Sequence, residues 1–453
     1  MTARGPDRYS YQDTGARWLH TRSRAGLLGD EQGIGKTVQA IDAADYALAD
    51  TILVLCKSIA KLNWQREFAK WSTADRPVAI PGTTDKIPDE GVVVLNYDIA
   101  HYPAVLRQLV KRRWDVLIAD EMQVLKAGAE SKRGQVVLDP RRGLHTTAEQ
   151  TWGLSGTPLP NHAGEIYPWL RAMHPKALKK LVGSLDYWDF MDRFVEYTVG
   201  QYGVRVFRNL PRAREELSPL LLGTVMLRRK RKDVLPELPN LTTDVLVVPG
   251  DAAYASVFAE LSEHPEIMEL ETAVRAANDP DDVYAVMSAE ETHMATLRRY
   301  IGLAKADSVA DLAAAELDQG EPKIVIMAWH QEVMERIAHR LQPYGVAEVS
   351  RRVSKNVRQD GIDLFQSDQT TCRVLVGQIL TAGTSITLTA AARLLFAEVS
   401  WSADDNEQAM LRILRIGQNR HCRIGFTALQ GSIDEAVMRV YERKAAMTAE
   451  LIG

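Results

Sequence analysis

Short apolar runs alternate with amphipathic stretches along most of the chain. Uninterrupted apolar strands that alternate with helical patterns predict a parallel sheet covered by helices on both faces. The alternation spans residues 25–160 and resumes after residue 320. The predicted strands are 25–28, 51–55, 91–95, 115–119, 152–154, 243–248, 323–327, 346–349, 373–376, 393–396 and 422–427.

Two regions interrupt this alternation. Residues 165–235 are predicted to be mostly helical and are basic, whereas residues 251–320 are predicted to be helical, acidic and rich in alanine. The Pro-Glu-Leu-Pro segment at 236–239 has the composition of a hinge. A capping box at Ser432 and Glu435 predicts a last helix that runs to the end of the chain. The predicted fold is α/β with two lobes, divided as 1–165, 166–236 (a helical protrusion), 237–322 (linker and helical insert) and 323–453.

Residues 30–37, DEQGIGKT, have the pattern of a phosphate-binding loop. The segment follows a predicted strand and precedes a helical pattern with Val38, Ile41, Ala44 and Leu48 on one face. Strand, glycine-rich turn, Lys-Thr and helix is the context that such a loop requires. A chance glycine turn is the less favoured interpretation.

Each residue type in this loop suits a polyphosphate. Glycines let backbone N–H groups close around the phosphates, and the helix N-terminus adds its positive dipole end. Lys36 is predicted to reach the β- and γ-phosphates, and the Thr37 hydroxyl to bind magnesium. Asp30 stands where the strict pattern has its first glycine. The predicted nucleotide-binding residues of the loop are Gly33, Ile34, Gly35, Lys36 and Thr37.

Asp120 and Glu121 follow the predicted strand 115–119. Ligands bind at the carboxyl ends of strands in open α/β sheets. We therefore expect Asp120 to hold magnesium through water and Glu121 to orient and deprotonate the attacking water. A pair of loop acids is the alternative, which the phosphate loop makes less favoured.

Small hydroxyl residues occupy a tight turn at Ser155 and Thr157, directly after Leu154. Such a turn can sense the γ-phosphate and relay its presence. A plain strand-end turn would have the same Gly-Thr-Pro composition.

Gln408, Arg412 and Arg415 follow Trp401 in a helical pattern, with Ser402 as its N-cap and Gly417 as its stop. Spacings of four and three place the three side chains on one helix face. Because these guanidinium groups lie in the second predicted lobe, they have the form of arginine fingers that neutralise charge in the transition state when the lobes close.

Composition excludes several classes of protein. Hydrophobic residues make up 46% of the 453 residues and charged residues 25%, as in ordinary globular proteins. A net charge of −4 argues against a uniformly basic nucleic-acid-binding coat but permits a basic cleft. The basic clusters at 111–113, 141–142 and 228–232 are interpreted singly as solvated faces. Because the three cysteines are far apart, no disulfide or zinc site is predicted. The N-terminus lacks an apolar run, so no signal peptide is predicted. No apolar run approaches the length of a membrane span.

In this order, the motifs resemble those of the superfamily-two, SWI/SNF-related ATPases, and the build is most similar to the annealing-helicase, or fork-remodelling, branch. The resemblance covers residues 9–450. It rests on Tyr11-Gln12, DEQGIGKT, LVLCKSIAKLNWQREF (53–68), Asn96-Tyr97-Asp98, DEMQVLK (120–126), LSGTPLPN (154–161), LRRKRKDV (227–234), TAGTSITLTAA (381–391) and QAMLRILRIGQ (408–418).

The resemblance implies two RecA-like lobes of the P-loop NTPase type, with a C-terminal brace helix, ATP and magnesium between the lobes, and duplex DNA across them. It implies that Gln12 recognises adenine and that Gly383 belongs to the second lobe's nucleotide motif. The residues implied to touch DNA are Lys57, Ser58, Asn96, Tyr97, Trp329, His330 and Thr381, and those implied to couple the lobes are Gln123, Ser155 and Thr157.

Three departures from the family pattern concern coupling and DNA contact. Gln123 replaces a usual histidine, so it can hydrogen-bond but cannot carry charge. Ser385 stands in the second-lobe glycine motif, and the SRRVS segment at 350–354 lacks its usual glycine.

The leading hypothesis is a DNA-stimulated ATPase that translocates on duplex DNA and remodels branched or protein-bound DNA without processive strand separation. A motor that displaces a specific protein from DNA is one alternative. A nucleotide-gated DNA-binding scaffold with weak turnover is another. We expect the protein to be a monomer and to act in DNA repair at replication forks. It is expected in the cytoplasm with the nucleoid, or in a host cytoplasm if viral.

Overall fold

The computed structural model describes residues 8–200, 203–249, 259, 261, 263–277, 283, 291–368, 371–382, 386–400 and 403–438. They form two compact units. The first is built from residues up to 199 and from 206–236, and the second mainly from residues after 236.

The first unit contains a seven-stranded sheet in the order β3-β4-β2-β5-β6-β1-β9, in which every pairing is parallel. A separate hairpin is formed by β7 and β8. The strands are β1 (Ala25–Leu28), β2 (Thr51–Cys56), β3 (Val78–Ala79), β4 (Gly91–Asn96), β5 (Trp114–Asp120), β6 (Ala148–Leu154), β7 (Val195–Gly200), β8 (Gly203–Asn209) and β9 (Met226–Leu227).

Helices flank this sheet and form the region after β6. The α-helices are Ser10–His20, Lys36–Tyr46, Lys61–Trp71, Tyr97–Ala100, Pro103–Val110, Lys132–Leu138, Tyr167–Met173, Pro175–Val182, Tyr187–Phe194, Ser218–Leu220 and Arg231–Val234. Short 3-10 turns lie at Ser58–Ala60, Met122–Leu125, Gly128–Glu130, Leu144–Thr147 and Ala163–Ile166, and π turns at Ala213–Leu217 and Leu221–Val225.

The second unit contains a six-stranded parallel sheet in the order β10-β15-β14-β11-β13-β12. Its strands are β10 (Leu241–Val248), β11 (Ile324–Ala328), β12 (Val346–Val349), β13 (Val374–Gln378), β14 (Arg393–Phe396) and β15 (Cys422–Leu429). Its helices are Pro265–Ala276, Glu291–Asp318, Gln331–Arg340, Lys355–Gln366, Ile379–Ala382 and Ala403–Met410, with a 3-10 turn at Gln342–Tyr344. None of the helices among the described residues is long and apolar enough to span a bilayer.

Both sheets are covered on both faces, which confirms the prediction from the apolar runs. Along β2, Leu53 and Leu55 belong to one hydrophobic cluster, whereas Ile52 and Val54 belong to the cluster on the opposite face. Since side chains alternate across a strand, a strand buried on both faces must be apolar at every position.

The prediction of a mostly helical region after residue 165 was wrong for β7 and β8. Their sequences, VEYTVG and GVRVFRN, alternate β-branched and polar residues, which is the strand pattern. The helix after the phosphate loop also ends earlier than predicted, at Tyr46. Leu48 lies beyond it with φ 52° and is 82% exposed, so it does not share the buried face.

A buried ion pair fastens the long helix Glu291–Asp318 to the end of the second sheet. Lys305 Nζ lies 2.6 Å from Asp434 Oδ2 and donates to the Thr427 carbonyl at 2.7 Å. Asp434 also accepts from the Leu429 N–H at 3.1 Å. The chain is helical over 434–438 with Ser432 Oγ accepting from the Asp434 N–H, and the rest of the predicted last helix lies outside the described residues.

We predict that Lys305→Ala destabilises the second unit by roughly 3–5 kcal/mol, because it leaves the Asp434 carboxylate without its partner. The Lys305 side chain is only 3% exposed. Asp311→Ala on the same helix is the matched control, since its ion pair with Arg340 is 57% and 47% exposed and should contribute less than about 1 kcal/mol. Urea denaturation of both variants measures the difference, and equal losses would contradict the assignment.

Candidate functional site

Four strands of the first sheet end on one row. Leu28 of β1 lies opposite Leu154 of β6 and Leu227 of β9, and Leu154 lies opposite Asp120 of β5. The segments that follow these four residues therefore emerge side by side at the carboxyl edge. This register brings the phosphate loop, the paired acids, the Ser-Gly-Thr turn and the basic run together.

The phosphate loop has the backbone that its glycines permit. Gly33 and Gly35 have φ of 86° and 82°, a left-handed conformation that residues with a Cβ rarely adopt. At Gly35 a Cβ would also lie 2.4 Å from Gln12 Nε2. The helix begins directly afterwards at Lys36, so its first N–H groups face the loop.

The Lys36 ammonium group rests inside the loop. Its Nζ donates to the carbonyls of Asp30 at 2.8 Å and Glu31 at 3.1 Å. Burial lowers the pKa of Lys36, and the carboxylates of Glu121, Asp30 and Asp120 oppose that shift. A cation among three carboxylates is suited to a site that takes up a polyphosphate together with a metal ion.

Asp120 is the acid that best fits magnesium. Burial and the neighbouring charge of Glu121 raise its pKa to about 6, while a 2.8 Å hydrogen bond from Trp64 Nε1 to Oδ2 and the charge of Lys36 act in the opposite direction. A divalent cation would relieve the repulsion between the two carboxylates, and oxygen donors are what magnesium prefers. Thr37, in the first turn of the helix, would supply a hydroxyl oxygen.

Glu121 adopts a left-handed conformation, with φ 52° and ψ 53°. A residue with a side chain in this region costs about 1–2 kcal/mol, so the surrounding contacts must impose it. The strained turn aims the carboxylate at Gln123, whose Nε2 donates to Glu121 Oε2 at 2.8 Å.

A hydrogen-bond chain connects the acidic motif after β5 to the Ser-Gly-Thr turn after β6. Ser155 Oγ donates to Gln123 Oε1 at 2.7 Å and accepts from the Thr157 N–H at 3.1 Å. Gln123, Ser155 and Thr157 are all buried. The structure thus brings together the three residues that the resemblance implied for coupling and joins them to Glu121.

Gln12 lies against the phosphate loop from the first helix. Its Nε2 is 3.5 Å from the Ile34 carbonyl, and its Oε1 accepts from the Tyr9 N–H at 3.1 Å. The side chain is 4% exposed. Its predicted contact with adenine therefore requires part of this packing to open.

The interpretation of the basic run after β9 as a solvated face was wrong for Arg228, Arg229 and Arg231, which face inwards, whereas Lys232 is exposed. Arg228 Nη1 donates to the carbonyls of Gly29 at 2.7 Å and Gly156 at 3.1 Å, while Arg229 pairs with the fully buried Asp30. One signal could have revealed this: an acid placed in a buried loop requires a cation.

Two of the four predicted DNA contacts in the first unit are buried. Asn96 is 7% exposed and Tyr97 3%, and the Tyr97 hydroxyl donates to the Asp120 carbonyl at 2.7 Å. The Tyr97 side chain therefore supports the acidic turn, whereas Asn96 is buried at the end of β4. The DNA contacts expected of both residues stay predictions. Lys57 is half-buried and Ser58 is exposed, both at the end of β2.

Glu398 organises the corresponding edge of the second sheet. Its Oε2 accepts the N–H groups of Trp329 at 2.9 Å and His330 at 2.8 Å, and its Oε1 lies 2.6 Å from His330 Nδ1. Thr381 is 4% exposed and donates to Gln378 Oε1 at 3.1 Å, so its side chain does not face outwards. The expected DNA contact of Thr381 stays a prediction.

The helix expected to carry Gln408, Arg412 and Arg415 ends at Met410, so the three residues do not share one helix face. Turns continue to Gly417, which has φ 98°. Arg412 is buried, and its Nε donates to the Gln408 carbonyl at 2.8 Å. Arg415 Nε donates to the Leu411 carbonyl at 3.1 Å. The predicted positions Gly383, Ser385 and Ser402 lie outside the described residues.

Comparisons with known proteins agree with the motif order. The model of the SNF2-related domain matches residues 11–297, and that of the helicase conserved C-terminal domain matches residues 304–417. Among solved structures, the SWI2/SNF2 ATPase core of Sulfolobus solfataricus in complex with dsDNA is 19% identical, with 99% of this chain and 93% of that chain covered and a TM-score of 0.45.

Two curated relatives illustrate the similarity. The SWI/SNF-related matrix-associated actin-dependent regulator of chromatin subfamily A-like protein 1 homolog of Caenorhabditis elegans is 28% identical over 96% of this chain and 60% of its own length. The DNA annealing helicase and endonuclease ZRANB3 of Mus musculus is 27% identical over 98% of this chain and 40% of its own length. The chain thus spans about half the length of the curated relatives it matches.

The SNF2-related model covers more than half of the 453 residues, and the loop, acids and turn that carry the motif pattern converge on one edge of the first sheet. The resemblance inferred from the motifs is confirmed: the chain belongs to the SNF2-related family of helicase-like ATPases.

Proposed function

We propose that the chain is an ATP-driven motor that translocates on double-stranded DNA and remodels branched or protein-bound DNA. The observation that carries this proposal is the shared row of strand ends, which groups Lys36, Asp120, Glu121 and the Gln123–Ser155 hydrogen bond in one site. Relatives named as DNA annealing helicases favour DNA as the substrate.

Residues of the first unit account for binding and activation of ATP. Lys36 leaves the loop carbonyls and binds the β- and γ-phosphates. Thr37 and Asp120 would hold magnesium, which when bound would neutralise phosphate charge. Glu121 accepts a proton from the attacking water, since Gln123 holds its carboxylate in a fixed direction. Gln12 contacts the adenine.

Residues of the second unit complete the proposed reaction. Arg415, assisted by Arg412 and Gln408, supplies positive charge to the transferred phosphate. Lys57 and Ser58 in the first unit, and Trp329 and His330 in the second, are the proposed contacts to the DNA backbone. Because phosphate contacts carry no sequence information, such a motor can advance along any sequence.

We predict that duplex, forked or four-way DNA raises ATP hydrolysis many-fold over single-stranded DNA or no DNA. Glu121→Gln should lower turnover by at least about 100-fold, because it removes the base, while leaving ATP binding intact. Glu90→Gln, at an exposed position of the same unit, is the control. Hydrolysis that no nucleic acid stimulates would refute the motor proposal.

Arg415→Ala should lower kcat on the order of 1,000-fold, with a small effect on ATP binding, because an arginine finger acts mainly in the transition state. Arg415 is half-buried, so its removal disturbs the fold less than removal of the buried Arg412. Arg340→Ala, at an exposed ion pair of the same unit, should retain activity. An unchanged kcat in Arg415→Ala would remove this residue from the mechanism.

The hydrogen-bond chain predicts non-additive effects. Gln123→Ala and Ser155→Ala should each lower kcat by about tenfold, the value of one well-formed hydrogen bond. The double variant should be no slower than the slower single variant, because both changes break the same chain. Steady-state kinetics of the three variants measures this, and multiplicative losses would show that the two residues act independently.

A further inference from the structure

Asp30 is a fully buried carboxylate at the base of the phosphate loop, with 0% exposure. Its Oδ1 accepts from the Arg229 backbone N–H at 3.0 Å and from Arg229 Nε at 3.1 Å. Its Oδ2 pairs with Arg229 Nη2 and accepts from Gln39 Nε2 at 3.2 Å. A desolvated carboxylate persists as an ion only with such partners, and the two-pronged guanidinium geometry fixes its direction.

The Arg229 guanidinium also holds the elements that surround the loop. It donates to the Tyr11 carbonyl and, at 2.6 Å, to Gln39 Oε1, and it lies 5.4 Å from the centre of the Tyr11 ring. The Tyr11 hydroxyl in turn donates to the Ile34 carbonyl at 3.1 Å. One side chain thus connects the first helix, the loop and the helix that follows the loop.

The residues on either side of Arg229 hold the same part of the loop. Gly29 N–H donates to the Leu227 carbonyl at 2.8 Å, and Glu31 N–H donates to the Arg229 carbonyl at 3.1 Å. Glu31 Oε2 accepts from the Arg231 N–H at 2.8 Å. Hydrogen bonds from both the backbone and the side chains therefore hold residues 29–31 in place.

These contacts bear on the catalytic lysine. Lys36 Nζ rests on the carbonyls of Asp30 and Glu31, the same two residues that the basic run holds. When the lysine moves to a phosphate, those carbonyls lose a donor, and the contacts of residues 29–31 with the basic run help to keep the loop in shape. A glycine at position 30, as in the strict loop pattern, would have no side chain for this attachment.

We propose that Arg229 is a positioning residue for ATP binding, acting through its ion pair with Asp30. The pair holds residues 29–31 in place, so that the loop N–H groups are already arranged for the polyphosphate when Lys36 leaves its carbonyl partners. This inference rests on the proposed use of ATP, and it gives a physical reason for an aspartate at the first position of the loop.

The test measures binding of a non-hydrolysable ATP analogue by calorimetry, together with kcat, KM and thermal unfolding. Arg229→Lys keeps the charge but loses the fork, so it should weaken analogue binding and raise KM by about tenfold, with kcat at saturating ATP within about twofold of the unaltered chain. Arg229→Ala should weaken binding further, and Asp30→Asn should resemble Arg229→Lys. Lys232→Ala, at an exposed position of the same basic run, should change none of these values.

An unchanged affinity for the analogue in a folded Arg229→Lys chain would overturn the proposal. If the melting temperature of that chain is lower at the same time, the pair has a purely structural role. If Arg229→Ala does not fold, the analogue affinity of Arg229→Lys is sufficient to test the proposal. Titration of the unaltered chain separates this question from the proposed function, since failure of that chain to bind the analogue would refute the use of ATP itself.

Discussion

The parallel register of the first sheet is the constraint on which the candidate site depends. Leu28, Leu154, Leu227 and Asp120 occupy one row, so the four segments that follow them cannot emerge elsewhere. The residues at these four strand ends are buried or half-buried, which leaves little freedom for a shift in pairing. A slip of one residue would exchange the side chains between the two buried faces and would also displace the phosphate loop relative to its acids.

Buried charges determine how this edge of the sheet is organised. Lys36 lies among the carboxylates of Asp30, Asp120 and Glu121, and Arg229 neutralises the most buried of them. Charges removed from water are tolerated only when paired and hydrogen-bonded. The surplus of negative charge left at Asp120 and Glu121 is the local condition that favours a metal ion.

A buried carboxylate also organises the strand ends of the second unit, but its partners are backbone N–H groups and a histidine. The Glu398 carboxylate accepts two backbone N–H groups and also meets the imidazole of His330, which holds the Trp329–His330 turn at the end of β11. Burial of Glu398, at 5% exposure, makes these contacts strong and the turn rigid. This turn carries Trp329 and His330, two of the residues proposed to contact the DNA backbone.

Most of the fold and the centre of the site follow from local patterns. The apolar runs placed the principal strands of both sheets, because a strand covered on both faces must be apolar throughout. The phosphate loop, Asp120, Glu121 and the Ser155–Thr157 turn were found because their chemistry depends on residue types at fixed short spacings. The register then confirmed that these segments converge, although they lie far apart in the sequence.

Only the tertiary structure decided which polar residues face the interior. The polar side chains of Asn96, Tyr97 and Thr381 were expected at the surface but are buried. In the basic run, Arg229 and Arg231 turn inwards to Asp30 and Glu31. The helix that precedes Arg412 ends at Met410, although its spacing allowed a longer one. The physical reason is common to all of these cases: a sequence pattern specifies what a residue is able to bind, whereas long-range strand pairing determines which partner lies within reach.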